Sequence, residues 1–513
     1  MERSSGILMA ISSLPSNYGI GTFGKAAYDF ADFLEKAGQK YWQMLPLGPI
    51  SYGDSPYQSF SSFAGNPYYI DLDLLVEDGL LTKEEACGVD WSDDAEHVNY
   101  GKIYENRFNV LSIAKERGFG RDREAVERFA SGMPWLSDYA LFMACKRHFD
   151  MHCWQEWPED IKMRRADAME RYKEELKSDI ELFTYIQYLF YKQWNELREY
   201  IHSKGIRIIG DIPIYVALDS VDVWSEPWQF QLDGELKPVE VAGCPPDAFS
   251  KTGQLWGNPL YRWDFMQSDG FGWWIRRIEG VSKLYDVIRV DHFRGFDEYW
   301  AIPAGDETAE NGCWRKGPGI ALINVLNSWF SDLNYIAEDL GFLTPTVLQL
   351  VKDSGWPSMK VLEFAFDSRE ASDYLPHNYN NNSICYTGTH DNETLVQWLE
   401  TAPAEDIEVA VKYLNLTKEE GYVWGIIRGG MGSVSDLFIA PLQDYLELGA
   451  ESRMNQPALT GGWWRWRCLP EAITGSKANA LAQKIAETAA RYGRHYIPKA
   501  DEEDNSNTVS KEN

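Results

Sequence analysis

Three acidic residues that closely follow short apolar runs are the strongest candidates for chemistry in this sequence. They are Asp291, Glu338 and Asp391. In a closed barrel of parallel strands the carboxyl ends of the strands meet at one face, so residues far apart in the chain reach one pocket. Arg289 lies two positions before Asp291, and this spacing along a strand points both side chains the same way. The pattern therefore predicts a carboxylate-rich pocket at one end of a barrel.

Two carboxyl groups in one pocket are the groups that glycosidic bond cleavage needs. One attacks the anomeric carbon while the other protonates the departing oxygen, and a separation of about 5 Å gives a covalent intermediate with net retention. Arg289 would keep Asp291 ionised, because a nearby opposite charge lowers the pKa of a carboxyl group. Glu338 needs a raised pKa to act as the acid, and neighbouring carboxylates with partial burial would supply it.

The same spacing leaves other interpretations open. An acidic residue at a strand end is often a helix N-cap or a salt-bridge partner. His292 and His390 each also fit a hydrogen-bonded core histidine or a metal ligand. Because a histidine beside an aspartate occurs in many hydrolases, a metal-dependent barrel hydrolase competes with the glycosidic interpretation.

The elements that must position these residues are predicted from hydrophobic periodicity. Apolar residues between Phe23 and Ala37 recur at helical spacing before Gly38, and Thr344-Pro345 begins a second helix that ends near Gly355. Alternation of strands and helices predicts a parallel sheet, and eight strands predict an α/β fold of the (β/α)8 TIM barrel type. The eight apolar runs, in chain order, are Ile7–Ile11, Tyr41–Leu45, Ile206–Ile209, Val287–Val290, Tyr335–Ala337, Lys360–Phe364, Ile384–Tyr386 and Leu437–Ile439.

The connections between these runs are unequal in length. A catalytic barrel over residues 1–500 is predicted to carry a mostly helical insertion at about 70–205. A second insertion, at about 215–270, is rich in Trp, Pro, Gly and Asp and is predicted to form a loop subdomain over the barrel mouth. An amphipathic helix follows Pro470, and the polar, charged tail 501–513 is predicted to be disordered.

The composition limits which classes of binding partner and which cellular compartment are expected. The net charge of −29 argues against nucleic acid and anionic membranes, which bind basic surfaces. Seven scattered cysteines without a C-x-x-C spacing predict neither disulfides nor a zinc site, and favour a reducing cytoplasm. No secretory signal or membrane-spanning run is apparent. The 21 Trp and 28 Tyr residues include candidates for stacking on sugar rings.

Seven local motifs resemble those of one enzyme family. In this order along the chain, from near Gly6 to near Pro470, they are similar to the motifs of the amylomaltase, or disproportionating-enzyme, family of 4-α-glucanotransferases, which is related to the α-amylases. The motifs are Gly-Asp-Ser-Pro-Tyr-Gln-Ser-Phe-Ser (53–61), Ala-Gly-Asn-Pro-Tyr (64–68), Gly-Asp-Ile-Pro-Ile-Tyr-Val-Ala (210–217), Pro-Pro-Asp-Ala-Phe-Ser-Lys-Thr-Gly-Gln-Leu-Trp-Gly-Asn-Pro-Leu-Tyr (245–261), Arg-Val-Asp-His-Phe-Arg-Gly (289–295), Ala-Glu-Asp-Leu-Gly (337–341) and Thr-His-Asp-Asn (389–392).

The resemblance implies a role for each matching residue. Asp291 matches the nucleophile, Glu338 the general acid/base, and Asp391 a third carboxylate that binds substrate hydroxyls. Two loops at the mouth, 245–261 and 452–457, match the loops that line the glucan groove. The substrate-binding residues that the resemblance implies are Tyr57, Asp211, Gln254, Trp256, Asn258, Arg289, His292, His390 and Asn455.

The resemblance also implies the reaction. Segments of α-1,4-glucan would pass from a maltodextrin donor to the 4-hydroxyl of glucose or another maltodextrin, without metal or organic cofactor and without a C-terminal β-sandwich. The expected partners are maltodextrin, glycogen or starch-derived glucans, and the chain is expected to be a cytoplasmic monomer or weak homo-oligomer. An α-glucosidase or amylase-like hydrolase with the same carboxylates, and a catalytically silent glucan-binding protein, stay open as alternatives.

Overall fold

Eight parallel strands close into a barrel in this computed structural model, which describes residues 1–246, 250–341, 343–457, 459 and 461–497. Each strand pairs with the next one along the chain, and the last pairs with the first. The predicted (β/α)8 barrel is confirmed. Its strands are Ser4–Leu8, Tyr41–Gln43, Arg207–Pro213, Val287–Asp291, Asn334–Ala337, Ser358–Val361, Ser383–Tyr386 and Leu437–Pro441.

Two of the predicted strands were placed too late in the chain. The first strand ends at Leu8 rather than Ile11, and a short 3-10 helix, Ile11–Ser13, follows it. The sixth strand ends at Val361, and a 3-10 helix, Leu362–Phe364, occupies the rest of the predicted run. Both runs stay buried beyond the last paired residue, for example at Leu362. An apolar run indicates which residues are buried, whereas a strand ends where backbone pairing with its neighbour ends. The end of an apolar run and the end of a strand can therefore differ.

Both helices predicted from the sequence are present in the barrel. The helix Lys25–Lys36 packs Phe30 edge-on against Trp42 of the second strand, with ring centroids 4.7 Å apart. Thr344 caps the helix Pro345–Ser354 by accepting from the Val347 amide, with Pro at its first turn. Gly355 ends that helix with φ of 74°, a conformation that glycine adopts without strain.

Helices fill the connections of the barrel. Those between the second and third strands include the 27-residue helix Lys177–Ser203, which packs against the helix Leu136–His148. This stretch comprises Leu72–Glu77, Lys83–Cys87, Tyr100–Gly118, Arg123–Ser131, Leu136–His148, Glu159–Lys162, Ala166–Glu175 and Lys177–Ser203. Elsewhere the described helices are Lys25–Lys36, Val221–Ser225, Trp263–Ser268, Gly272–Ser282, Ile320–Trp329, Pro345–Ser354, Leu395–Thr401, Ala404–Leu414, Tyr422–Met431, Leu442–Tyr445 and Gly475–Arg491.

A second, antiparallel sheet of four strands, here called the mouth sheet, lies outside the barrel order. Its strands, in spatial order, are Gln254–Pro259, Glu240–Cys244, Glu298–Pro303 and Cys313–Lys316. The first two come from the 215–270 stretch, whereas the last two follow the fourth barrel strand and were not predicted from sequence. The edge strand Gln254–Pro259 carries three of the predicted substrate-binding residues, Gln254, Trp256 and Asn258, and its pairing with Glu240–Cys244 shifts register between Leu255 and Pro259.

Two predictions fall partly or wholly on residues outside the described part of the chain. Residues 247–249 of the motif 245–261 are one case, and the tail 501–513 is the other. In the described residues no helix combines the length and the apolar character that crossing a membrane requires. The cytoplasmic location stays a prediction.

Candidate active site

The three predicted carboxylates converge at the carboxyl ends of barrel strands. Asp291 is the last residue of the fourth strand, Glu338 directly follows the fifth, and Asp391 lies five residues after the seventh. Burial raises the pKa of Asp291 well above its ordinary value, and the charges of Asp211, Glu338 and Asp391 raise it further. These interactions require short separations, so the barrel brings the groups into one pocket.

Arg289 is the cation of this pocket. Its Nη1 donates to Oδ2 of Asp211 at 2.5 Å and to Oδ1 of Asp291 at 3.0 Å. The Tyr57 hydroxyl donates to the same Asp211 oxygen at 2.8 Å. Burial opposes the charge of Arg289, but the adjacent carboxylates outweigh this effect and hold its pKa well above the ordinary value. The guanidinium therefore stays charged and opposes protonation of Asp291.

Glu338 is held by backbone amides. Its Oε2 accepts from the His292 amide at 2.7 Å, and its Oε1 accepts from the Leu340 amide at 3.0 Å. His292 has a left-handed φ of 55°, and its amide reaches Glu338 from the turn that follows the fourth strand. Burial raises the pKa of Glu338, against the opposing effects of Arg289 and of the two amide donors.

The Trp256 ring of the mouth sheet lies against the His292 ring. The two rings meet edge-on at 4.8 Å between centroids, and Trp256 Nε1 donates to Oε1 of Gln254 at 3.2 Å. Burial and the Arg294 charge lower the pKa of His292 to about 4, so its ring is neutral near pH 7. Asn258 uses its side-chain amide inside the protein, where Nδ2 donates to the Val216 carbonyl at 2.8 Å.

Asp391 is oriented from two sides. The Asn455 side chain donates to Asp391 Oδ1 at 2.6 Å, and His390 Nε2 lies 3.4 Å from Oδ2. His390 is itself fixed by stacking on Tyr57, with centroids 5.1 Å apart and 19° between the rings. Burial lowers the pKa of His390 despite the charge of Asp391. The side chain of Asp391 keeps 40% of its surface exposed.

The contacts above link the sequence-predicted residues around one pocket, except Asn258, whose side-chain amide binds the Val216 carbonyl, and one further residue joins them. The Trp464 ring lies 5.8 Å from Tyr57 and 5.6 Å from His390 between centroids. No spacing rule identifies this residue among the clustered tryptophans near it. Its left-handed φ of 66° is unusual for a bulky side chain and marks a conformation that its surroundings impose.

The described residues contain no group of three or more His, Cys, Asp or Glu side chains arranged to hold a metal ion. The two histidines of the pocket instead make aromatic contacts, with Trp256 and with Tyr57. The pocket therefore presents a set of carboxylates, one guanidinium and several aromatic rings, which can supply acid–base and nucleophilic chemistry to a neutral substrate.

Comparison with known proteins places this site in a family. The family model described as 4-alpha-glucanotransferase matches residues 9–472. A 4-alpha-glucanotransferase of Clostridium butyricum is 51% identical over 489 residues, which cover 95% of this chain and 100% of that protein. A 4-alpha-glucanotransferase of Thermus thermophilus is 44% identical, over 94% of this chain and 99% of its own.

Solved structures agree with the sequence relatives. Amylomaltase from Streptococcus agalactiae, in complex with acarbose, superposes with a TM-score of 0.93 at 42% identity, covering 96% of this chain and 100% of its own. Amylomaltase from Corynebacterium glutamicum, at 18% identity and a TM-score of 0.75 over 94% of this chain and 75% of its own, shares the fold. From the matched length and the identity of these relatives, the chain belongs to the 4-alpha-glucanotransferase family.

Proposed function

We propose that this enzyme transfers α-1,4-glucan segments from a maltodextrin to the 4-hydroxyl of glucose or of a second maltodextrin, through a covalent intermediate on Asp291. The observation that carries the proposal is the 3.0 Å contact of Arg289 with Asp291 in a pocket that also holds Glu338. Retaining glycosidic chemistry requires one ionised carboxylate and one protonated carboxyl group, and a cation beside Asp291 favours ionisation of Asp291 over that of Glu338.

In the first step, an Asp291 oxygen attacks C1 of the donor sugar. The C1–O bond to the leaving chain breaks, and Glu338 gives its proton to the departing oxygen. In the second step, the 4-hydroxyl of the acceptor attacks C1, the ester bond to Asp291 breaks, and Glu338 takes the hydroxyl proton. Two inversions at C1 give net retention, and the enzyme returns to its starting protonation state.

The arrangement of donors supports placing the proton on Glu338 rather than on Asp291. Asp291 accepts a hydrogen bond from a full positive charge, whereas Glu338 accepts from two neutral amides. Two carboxyl groups that interact this strongly share one proton over an intermediate pH range, and the proton stays on the group with the weaker cationic partner.

Asp391 is proposed to bind hydroxyls of the donor sugar. Its carboxylate is partly exposed, and Asn455 and His390 orient it from two sides. A negative charge that is fixed in advance near a developing oxocarbenium ion stabilises the transition state more than the ground state. Tyr57, Asp211 and Arg289 are proposed to line the same donor side, since they share hydrogen bonds with each other.

The preference for a sugar acceptor over water is proposed to come from residues of the mouth sheet. Trp256 offers a ring beside His292 on which an incoming glucose unit can stack, and Gln254 fixes the indole nitrogen. The strand that carries both residues is tied to the barrel through the Asn258 amide. A bound acceptor would present its 4-hydroxyl at high effective concentration and displace water.

Incubation with maltotriose alone tests the proposed reaction. Transfer gives glucose together with a ladder of longer maltodextrins, whereas an α-glucan hydrolase gives only shorter products. A catalytically silent glucan-binding protein gives neither. Dialysis against a chelator is expected to leave the rate unchanged, and a loss restored by a divalent cation would favour the metal-dependent alternative.

A further inference from the structure

Residues 452–457, here called the Asn455 loop, are tied to Asp391 through one guanidinium. Arg453 Nη2 donates to the backbone carbonyl of Asp391 at 3.1 Å, and its Nε donates to the backbone carbonyl of Asn455 at 2.8 Å. Its Nη1 reaches Oε1 of Glu393 at 3.3 Å. The side chain of Arg453 is 11% exposed, and these hydrogen bonds are made to groups of the protein itself.

These contacts involve Asn455 and Asp391, whose side chains share the hydrogen bond that orients the third carboxylate. Asn455 donates through its side chain to Asp391 Oδ1 at 2.6 Å, and through its backbone amide to the His390 carbonyl at 3.1 Å. Arg453 binds the carbonyls of both Asn455 and Asp391, so it fixes the Asn455 loop relative to the backbone of Asp391. The planar, rigid guanidinium suits this task better than a flexible ammonium group.

A buried acidic cluster lies close to Arg453. Glu363 has no hydrogen-bond partner at Oε1 among the described residues, and burial raises its pKa well above the ordinary value, with Asp444 and Glu393 adding to the effect. The Arg453 charge opposes that rise. The ion pair of Arg453 with Glu393 also holds the guanidinium near the Asn455 loop, so its position does not depend on the carbonyl contacts alone.

We infer that Arg453 is a positioning residue for glucan transfer, which holds the Asp391 carboxylate in its working orientation through Asn455 and the Asp391 backbone. This inference rests on the proposed function of Asp391. Arg453 acts through these contacts rather than on the reacting atoms, because each of its three guanidinium nitrogens donates to a protein oxygen. Its contribution should therefore vanish when the Asp391 carboxylate is removed.

A double-mutant cycle measures this dependence. Initial rates of glucose release from maltotriose give kcat and KM for the wild type, Arg453→Gln, Asp391→Asn and the double variant. We expect Arg453→Gln to lower kcat/KM by roughly 10- to 100-fold, mainly through kcat, as misplacement of a catalytic group does. In the Asp391→Asn background the same change should cost less than about 3-fold, because the group that it positions is absent.

Arg453→Lys separates positioning from charge. Lysine keeps a cation near Glu363 and Glu393 but cannot bridge two carbonyls in a fixed plane. We expect the lysine variant to restore the thermal unfolding midpoint while kcat stays low. Arg369→Gln, which removes an exposed guanidinium paired with Asp367, serves as the matched control and should behave as the wild type. If Arg453→Gln does not fold, Arg453→Lys carries the cycle.

Three results would overturn the inference. They are an equal fold loss in both backgrounds, an unchanged kcat in a folded Arg453→Gln enzyme, and full recovery of kcat by lysine. A different result tests the proposed function instead: if Asp391→Asn alone keeps full activity, then the assignment of Asp391 fails, whatever Arg453 does. The two failures are therefore distinguishable within one set of variants.

Discussion

Nη1 of Arg289 lies 3.0 Å from Oδ1 of Asp291, two residues further along the same barrel strand. Strand alternation places both side chains on one side, and the buried guanidinium opposes the rise in the pKa of Asp291 that burial and the neighbouring carboxylates cause. The same nitrogen also binds Asp211 on the neighbouring strand, which is in register with Arg289. One cation thus links two strands and favours the ionised form of the proposed nucleophile.

Trapping the intermediate tests the role of Asp291. In Glu338→Gln the acid/base is absent, yet an α-maltosyl fluoride donor needs no protonation of its leaving group. We expect the glycosyl group to accumulate, and mass spectrometry of a peptide digest should find it on the peptide that contains Asp291. In Asp291→Asn no adduct should form, and maltotriose turnover should fall by about 10³-fold or more. An adduct on another carboxylate would contradict the assignment.

Arg289→Lys should shift the acid limb of the pH–rate profile. The lysine side chain is shorter, and its ammonium cannot take the position of Nη1 between Asp211 and Asp291, so the positive charge lies further from Asp291 and the pKa of Asp291 rises further. The ionised form then appears only at higher pH, and the acid limb of kcat/KM moves upward. The measurement is kcat/KM for maltotriose from about pH 4 to about pH 9. An acid limb that stays in place or moves downward would refute this account, and Arg369→Lys should leave it unmoved.

The His292 ring should stay neutral throughout the working range. Burial and the Arg294 charge lower its pKa to about 4, so it takes up a proton only well below neutral pH. NMR of ¹³C-labelled histidine should show this ring in its neutral form down to about pH 5, with His292→Gln assigning the signal. Both limbs of the activity profile should keep their pH positions in His292→Gln. A ring that titrates near the ordinary pKa of about 6.5 would contradict the prediction.

Trp256→Ala should favour water over sugar as the acceptor. Losing the indole removes the stacking surface beside His292, which we expect to weaken acceptor binding by roughly 5- to 10-fold. The measurement is the ratio of reducing ends gained to longer maltodextrins formed from maltotriose. Trp329→Ala is the control, since that ring is 66% exposed at a helix end. An unchanged ratio with unchanged acceptor affinity would exclude Trp256 as the platform.

Lys146→Met should destabilise the fold. The Lys146 side chain is fully buried, and its Nζ lies 2.6 Å from Asp219 while also donating to the Met151 and His152 carbonyls. Removing the cation leaves a largely buried carboxylate without its charge partner, at an expected cost of about 3–5 kcal/mol. Thermal unfolding measures the loss, and Asp219→Asn in addition should recover part of it. Lys25→Met, at a pair with Asp29 in which the lysine side chain is 84% exposed, should cost less than about 0.5 kcal/mol.

The amino-acid sequence by itself determined which carboxylates meet. Asp291, Glu338 and Asp391 follow apolar runs, and barrel closure brings all such strand ends to one face, whatever the connections between them. The pairing of Arg289 with Asp291 likewise needed only strand alternation. Local motifs then identified the family, because the chemistry of the site depends on short segments at these strand ends.

Tertiary structure alone decided the contacts that join distant segments. The mouth sheet pairs Glu240–Cys244 with Glu298–Pro303. One of these strands precedes the fourth barrel strand in the chain and the other follows it, and no local hydrophobic periodicity predicts that they pair. The contacts of Arg453 with the Asp391 carbonyl and of Trp464 with Tyr57 link residues of different loops. Hydrophobic periodicity reports which face of an element is buried, but not which distant backbone lies against it. The closed barrel determines which distant segments come into contact, because it fixes the distances between its loops.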